Sequence, residues 1–143
     1  MLDVKIVYHN PNLQHIEKID KGDWIDLRAS KAYHLKAGEF ALIDLGVSMK
    51  LPDGYEAHIV PRSSTFKNYG IIHTNSMGVI VNSYSRTNDI WMMPVYATRD
   101  TYIKLNDRIC QFRIFEKMPE LNMIEANSLD DVNRGGFGST GVQ

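Results

Sequence analysis

The sequence predicts an all-β domain of sandwich, jelly-roll or barrel type with one short helix. Apolar and polar residues alternate with period two in several segments, and no segment sustains a helical period. Gly, Pro, Asn and Asp punctuate the chain at the short intervals expected between strands.

In Val4–Tyr8 the residues Val4, Ile6 and Tyr8 share one face, because successive side chains of a strand point to opposite sides. Phe40–Leu45 and Gly46–Leu51 follow, then Tyr55–Val60, where Tyr55, Ala57 and Ile59 oppose Glu56 and His58. Gly78–Val81, Asp89–Tyr96 and Ile109–Phe115 complete the strand candidates. Turns are expected at Pro52-Asp53-Gly54, Thr87-Asn88-Asp89 and Leu105-Asn106-Asp107. Between Ser63 and Gly70, hydroxyl residues suited to an N-cap precede a short body and a terminating glycine, which predicts a helix of one or two turns.

With 143 residues, 43% hydrophobic and 23% charged, the chain suffices for one core without disulfides or a structural metal. Sixteen Lys+Arg against 17 Asp+Glu leave a net charge of −1, which excludes nucleic-acid binding driven by bulk charge. Cys110 is the one cysteine and has no internal partner, which suits a reducing compartment; a cytoplasmic location is expected. Met1–Tyr8 lacks the apolar run of a signal peptide, and no stretch is long enough to cross a bilayer, so neither secretion nor membrane insertion is expected. Residues 1–133 read as the β domain, and residues 134–143, with four of the ten glycines, as a separate C-terminal motif.

Several clusters carry the chemistry of anion binding. Arg134-Gly135-Gly136-Phe137-Gly138-Ser139-Thr140-Gly141 combines close-approach glycines, a guanidinium, two hydroxyls and a ring able to stack on a base. A flexible tail would have the same composition. Pro61-Arg62-Ser63-Ser64-Thr65 places an arginine and three hydroxyls at a helix start, which would equally serve an ordinary capped surface helix. In Gly22–Ser30, Asp26 is a candidate to hold hydrated magnesium, and a solvated strand end is the plainer reading. The five histidines show no metal-ligand spacing and read as surface or strand-face residues.

Taken in order, these segments resemble the five motifs of the trimeric dUTPase family, across nearly the whole chain. Gly22-Asp23-Trp24-Ile25-Asp26-Leu27-Arg28-Ala29, Glu56-Ala57-His58-Ile59-Val60-Pro61-Arg62-Ser63-Ser64-Thr65 and Asp107-Arg108-Ile109-Cys110-Gln111-Phe112-Arg113-Ile114 are similar in particular to the members from Bacillus and its temperate phages. The resemblance implies a jelly-roll-like homotrimer with active sites between subunits. It implies that Asp26 orients magnesium-bound water, that Arg62, Ser63 and Ser64 contact the triphosphate, and that Gln111 touches phosphate or water. Asn75 and the strand Gly78–Val81, with Gly78 and Ile80, would read the uracil edge, and Tyr84 would stack under the deoxyribose. Arg134, Gly138, Ser139 and Thr140 would clamp the γ-phosphate while Phe137 covers the base on a neighbouring subunit.

The third motif departs from that pattern. Family members read Gly-x-Val/Ile-Asp-x-x-Tyr-x-Gly, and this chain reads Gly78-Val79-Ile80-Val81-Asn82-Ser83-Tyr84-Ser85-Arg86. Val81 stands where the family's aspartate activates water and holds the 3′-hydroxyl, and Arg86 replaces the glycine. Losing a general base typically costs about 10²–10⁴-fold in rate. Asn82 and Asp89 are the nearest polar substitutes; Asn82 lacks basicity and Asp89 lies beyond the turn. The expected function is therefore nucleotide binding with weak or absent dUTP hydrolysis, acting by sequestration of dUTP or of a signalling nucleotide that the Arg86 charge would favour. An active dUTP diphosphatase and a nucleotide-switched module that binds a host protein are the rivals.

Overall fold

The computed structural model describes residues 1–18 and 20–130. Their elements, in order, are β1 (Lys5–Tyr8), β2 (Ile25–Arg28), β3 (Tyr33–Leu35), β4 (Phe40–Asp44), β5 (Val47–Lys50), β6 (Tyr55–Pro61), α1 (Thr65–Tyr69), β7 (Ile71–His73), β8 (Gly78–Ile80), β9 (Met92–Ala97), β10 (Thr101–Ile103) and β11 (Arg108–Glu116). The strands pair antiparallel in small sheets ordered β1-β5, β10-β3, β2-β11-β6-β8 and β4-β9-β7. Partners such as β2 and β11 are distant in sequence, so the chain crosses repeatedly between layers, as in a jelly roll.

Period-two patterning is what builds the core. Met93, Val95 and Ala97 of β9 are fully buried while Met92 and Tyr96 face outward, and Ala57 and Ile59 of β6 point inward as the alternation predicts. Trp91 fills the centre and meets Phe112 edge-on, with ring centroids 5.3 Å apart. Cys110 is wholly buried, and that burial pushes its thiol pKa up, so it is an unreactive core residue.

The structure adds strands that the pattern does not reveal. β2 has four residues and β3, β7 and β10 three each, too few for an alternation to stand out. β9 starts at Met92 instead of Asp89, because Asp89 closes a turn by donating its amide to the Arg86 carbonyl and accepting the Arg86 amide on Oδ2. β8 ends at Ile80, so Val81 leaves the sheet and its carbonyl accepts the Tyr84 amide.

The helix stops at Gly70 in the left-handed region (φ 63°) as expected, but the expected side-chain cap is absent: Ser64 stands at the N-cap without capping it. Buried Thr65 sets the start instead. Its hydroxyl accepts the Arg62 amide and donates to the Ile109 carbonyl, which fastens the helix to β11. His73 is a second correction: it lies on a strand but is buried, not superficial.

Gly46 needs both its positive φ and its missing side chain. At φ 70° an added Cβ would stand 2.6 Å from Ser30 Cβ and 2.8 Å from Leu13 Cδ2. Gly46→Ala is expected to destabilise the fold by about 2–4 kcal/mol, combining the left-handed penalty with overpacking. Urea unfolding checks this, and an unchanged midpoint contradicts it.

Candidate nucleotide-binding site

A cleft of about 360 Å³ opens at the β2–β11–β6 end of the largest sheet. Register sets its floor: Asp26 on β2 faces Gln111 on β11, which faces Val60 on β6. Arg62 follows β6 directly, and its Nε lies 3.1 Å from Asp26 Oδ1; Arg108 Nη1 lies 3.7 Å from Asp26 Oδ2. Gln111 donates an amide hydrogen to the Pro61 carbonyl, which orients its side chain in the cleft. Lys21, Arg28, Arg62 and Arg108 outnumber Glu17, Asp23 and Asp26 among the lining residues, and exposed Ser63 adds a hydroxyl. Such a cluster of donors at one end of a sheet suits a polyanion.

A second pocket, of about 280 Å³, has different chemistry. Val79, Ile80, Val81, Tyr84, Ile90 and Met92 line it, so its walls are apolar and carry no carboxylate. The hairpin beside it is pinned: Asn82 Nδ2 donates to the Leu51 and Pro52 carbonyls, and the Tyr84 hydroxyl donates to the Ile90 carbonyl. β8 is the edge strand of its sheet, so part of its backbone has no strand partner. Alternating edge N–H and C=O groups complement a base that presents both acceptors and a donor.

The two pockets share no lining residue. Asp26 is three strand spacings from β8, and Ile80 faces Ala57, three residues along β6 from Val60. Spacings of about 4.8 Å across and 3.3 Å along a sheet put Asp26 and Ile80 roughly 15–20 Å apart.

Of the site residues expected from sequence, Asp26, Arg62, Ser63 and Gln111 come together in the cleft. Ile80, Val81 and Tyr84 meet in the apolar pocket; Asn75 and Gly78 lie on the adjoining hairpin, and Ser64 stands at the N-cap position of α1 without a side-chain cap. Arg86 is exposed in the turn closed by Asp89. Arg134, Phe137, Gly138, Ser139 and Thr140 lie outside the described residues. Arg28, which the sequence places in the same motif as Asp26, lines the cleft as well; Arg108 does so although the sequence does not single it out, and its position opposite Arg28 on the paired strand shows only once the register is known.

Among the described residues no three His, Cys, Asp or Glu groups cluster as a protein cage. Mg²⁺ commonly binds through one or two carboxylates, waters and substrate phosphates. Asp26 at the floor of a phosphate-sized cationic cleft fits that mode.

The dUTPase family profile matches residues 5–141. Over 142 residues the chain is 56% identical to the SPbeta prophage-derived deoxyuridine 5′-triphosphate nucleotidohydrolase of Bacillus subtilis (strain 168), covering 99% of this chain and 100% of that one. In three dimensions it is similar to a variant of the Staphylococcus bacteriophage 80alpha dUTPase solved with dUpNHpp, with a TM-score of 0.77 at 18% identity, covering 97% and 98% of the two chains. A variant of the phage phi11 dUTPase of S. aureus, described with a structural Mg(II) ion, aligns with a TM-score of 0.76 at 15% identity, covering 87% and 98%. A match across almost the entire length, in both sequence and fold, leaves one assignment: the chain belongs to the dUTPase family.

Proposed function

We propose that the chain binds dUTP, or a related nucleotide, at sites shared between the subunits of a homotrimer, and that it hydrolyses dUTP weakly. The observation that carries this is Val81 in an apolar pocket wall that holds no carboxylate. In this reading the cationic cleft takes the triphosphate with Asp26 orienting magnesium-bound water, and Arg62, Ser63, Ser64 and Gln111 contact phosphate. Asn75, Gly78 and Ile80 read the base, and Tyr84 stacks on the sugar. Bound magnesium would neutralise phosphate charge there, and this chain's own groups would orient the ligand around it.

The separation of the two pockets supports shared sites, because one nucleotide cannot meet both the Asp26 cleft and the β8 edge of one chain without spanning the sheet. Residues 117–130 supply a second argument. Met118, Leu121, Met123, Ile124 and Leu129 are each at least 59% exposed on a segment without helix or strand, and a neighbouring subunit would cover them. Arg134 to Thr140 would then close over that neighbour's nucleotide. Light scattering at micromolar concentration is expected to give three times the 16.3 kDa chain mass, and a monomer contradicts the arrangement.

Calorimetric titration tests the ligand. Tight magnesium-dependent binding of dUTP is expected, with slow pyrophosphate release, and no binding overturns the reading. Cyclic nucleotides belong in the same titration, because an apolar pocket wall at Val81 with an exposed Arg86 in the turn that follows suits a ligand phosphorylated or cyclised at its 3′ position. An active dUTP diphosphatase is the second reading, favoured by the intact Asp26–Arg62–Gln111 cluster and by what the Bacillus prophage relative is called. It requires turnover that a restored carboxylate does not improve.

A further inference from the structure

His73 is the histidine that sequence patterning left without a task. It ends β7, is only 3% exposed, and lines a separate cleft of about 420 Å³ with Pro61, Arg62, Phe66, Ile71, Ile72 and Ser76. Its Nδ1 accepts the Asn75 amide at 3.2 Å, and its main-chain carbonyl accepts the Ser76 amide. Ser76 sits at φ 64°, a left-handed conformation uncommon for serine, and the ring lies against Gly78, where an added Cβ would stand 3.4 Å from Nε2. One side chain thus contacts both ends of the turn from Asn75 to Gly78 that leads into β8.

Because Nδ1 accepts, the neutral ring carries its proton on Nε2, which is buried with no hydrogen-bond partner among the described residues. Protonating the ring would make Nδ1 a donor facing the Asn75 N–H. No compensating anion is at hand: Val95 of β9, Ile59 of β6 and Gly78 of β8 are uncharged neighbours, and the charged residue of the cleft, Arg62, is a cation paired with Asp26. Burial accordingly lowers the His73 pKa below its ordinary value.

We propose that His73 is a positioning residue for the base-reading hairpin: its neutral ring holds the Asn75 turn in the nucleotide-competent shape, and protonation releases it. This rests on the reading that Asn75, Gly78 and Ile80 face the base. The consequence is a site whose affinity falls in acid without any titrating group touching the ligand. The sign follows from the lowered pKa. Above about pH 6.5 the ring is neutral in both folded and unfolded chains and costs nothing. Below that the unfolded chain takes up a proton first, so the folded hairpin loses stability progressively as pH falls toward the native pKa.

The test compares wild type, His73→Asn and His73→Leu in the full-length protein, by calorimetric titration with dUMP and by hydrogen exchange of the Asn75 amide. Asn carries an acceptor near the position of Nδ1 and does not titrate; Leu fills space without an acceptor. At pH 7.5 His73→Asn is expected to bind within about threefold of wild type and His73→Leu about tenfold more weakly, the loss of one buried hydrogen bond. As pH falls below 7.5 wild type should lose affinity more steeply than His73→Asn, a comparison that cancels the titration of the dUMP phosphate itself, and parallel pH profiles for the two down to the acid limit of the folded protein overturn release by protonation. Asn75 should be protected from exchange in the first two proteins and not in His73→Leu. Equal dUMP affinity and equal Asn75 protection in all three proteins overturn the proposal. Failure of wild type to bind dUMP at pH 7.5, with the protection pattern intact, instead overturns the base-reading assignment and leaves the His73 latch standing.

Discussion

Val81→Asp combined with Arg86→Gly is expected to raise pyrophosphate release from dUTP by at least about 10²-fold, the lower bound for a restored general base. Val81 is 49% exposed in the pocket wall, so the new carboxylate enters without a burial penalty and the fold should tolerate it. Among the described residues nothing nearby substitutes for it in the wild type. The Asp89 carboxylate is engaged by the Arg86 amide within its own turn, Asn82 spends its amide on the Leu51 and Pro52 carbonyls, and the Tyr84 hydroxyl donates to Ile90. Arg86→Gly belongs in the comparison because it restores the second residue of the family pattern that this hairpin lacks and removes a cation that would lower the basicity of any carboxylate it reached. Turnover by wild type equal to that of the double variant would mean that a group elsewhere, on this chain or a neighbour, supplies the base, and the weak-hydrolysis reading would fall.

How the sequence relates to the structure follows from element length and from register. Longer strands with one buried face, such as β6 and β9, carry an alternation that one-dimensional reading detects. β7, at three residues, is too short to show one, and this hid the burial of His73, which depends on the pairing of His73 with Val95. The start of α1 differs from the sequence expectation for a related reason: Ser64 has the right chemistry, but Thr65 has the Ile109 carbonyl within reach, a contact 44 residues away in sequence. The cationic cleft was legible in part. Asp26, Arg62 and Gln111 stand out by motif, whereas Arg108 joins them only because an irregular register between Arg108 and Cys110 brings β11 against β2 with Arg108 near Asp26. That the two halves of the site lie apart on one chain is a property of strand order, which no local pattern encodes.

Arg62→Met is expected to weaken binding of dUpNHpp by about 10²-fold while changing dUMP affinity less than about threefold. The guanidinium is a planar fork that can give two charge-assisted hydrogen bonds to phosphate oxygens, each worth about 1.5–3 kcal/mol. Against this stands the partner it leaves. In the free protein Arg62 pairs with Asp26 at 3.1 Å, both side chains being nearly 30% exposed, and a partly solvated pair of this kind is worth about 0–1 kcal/mol. The difference, about 3 kcal/mol, corresponds to the stated hundredfold. Methionine keeps the length and packing of the arginine stem, and Arg108 remains beside Asp26 to balance its charge, so the variant should unfold at nearly the wild-type urea concentration. Arg62→Lys should recover only part of the loss, since an ammonium cannot reproduce the bidentate fork. Calorimetric titration of both ligands reads the outcome directly: an equal loss for dUMP and dUpNHpp would place Arg62 at the part the two ligands share or in the scaffold, and only a loss confined to dUpNHpp assigns the cleft to the β- and γ-phosphates.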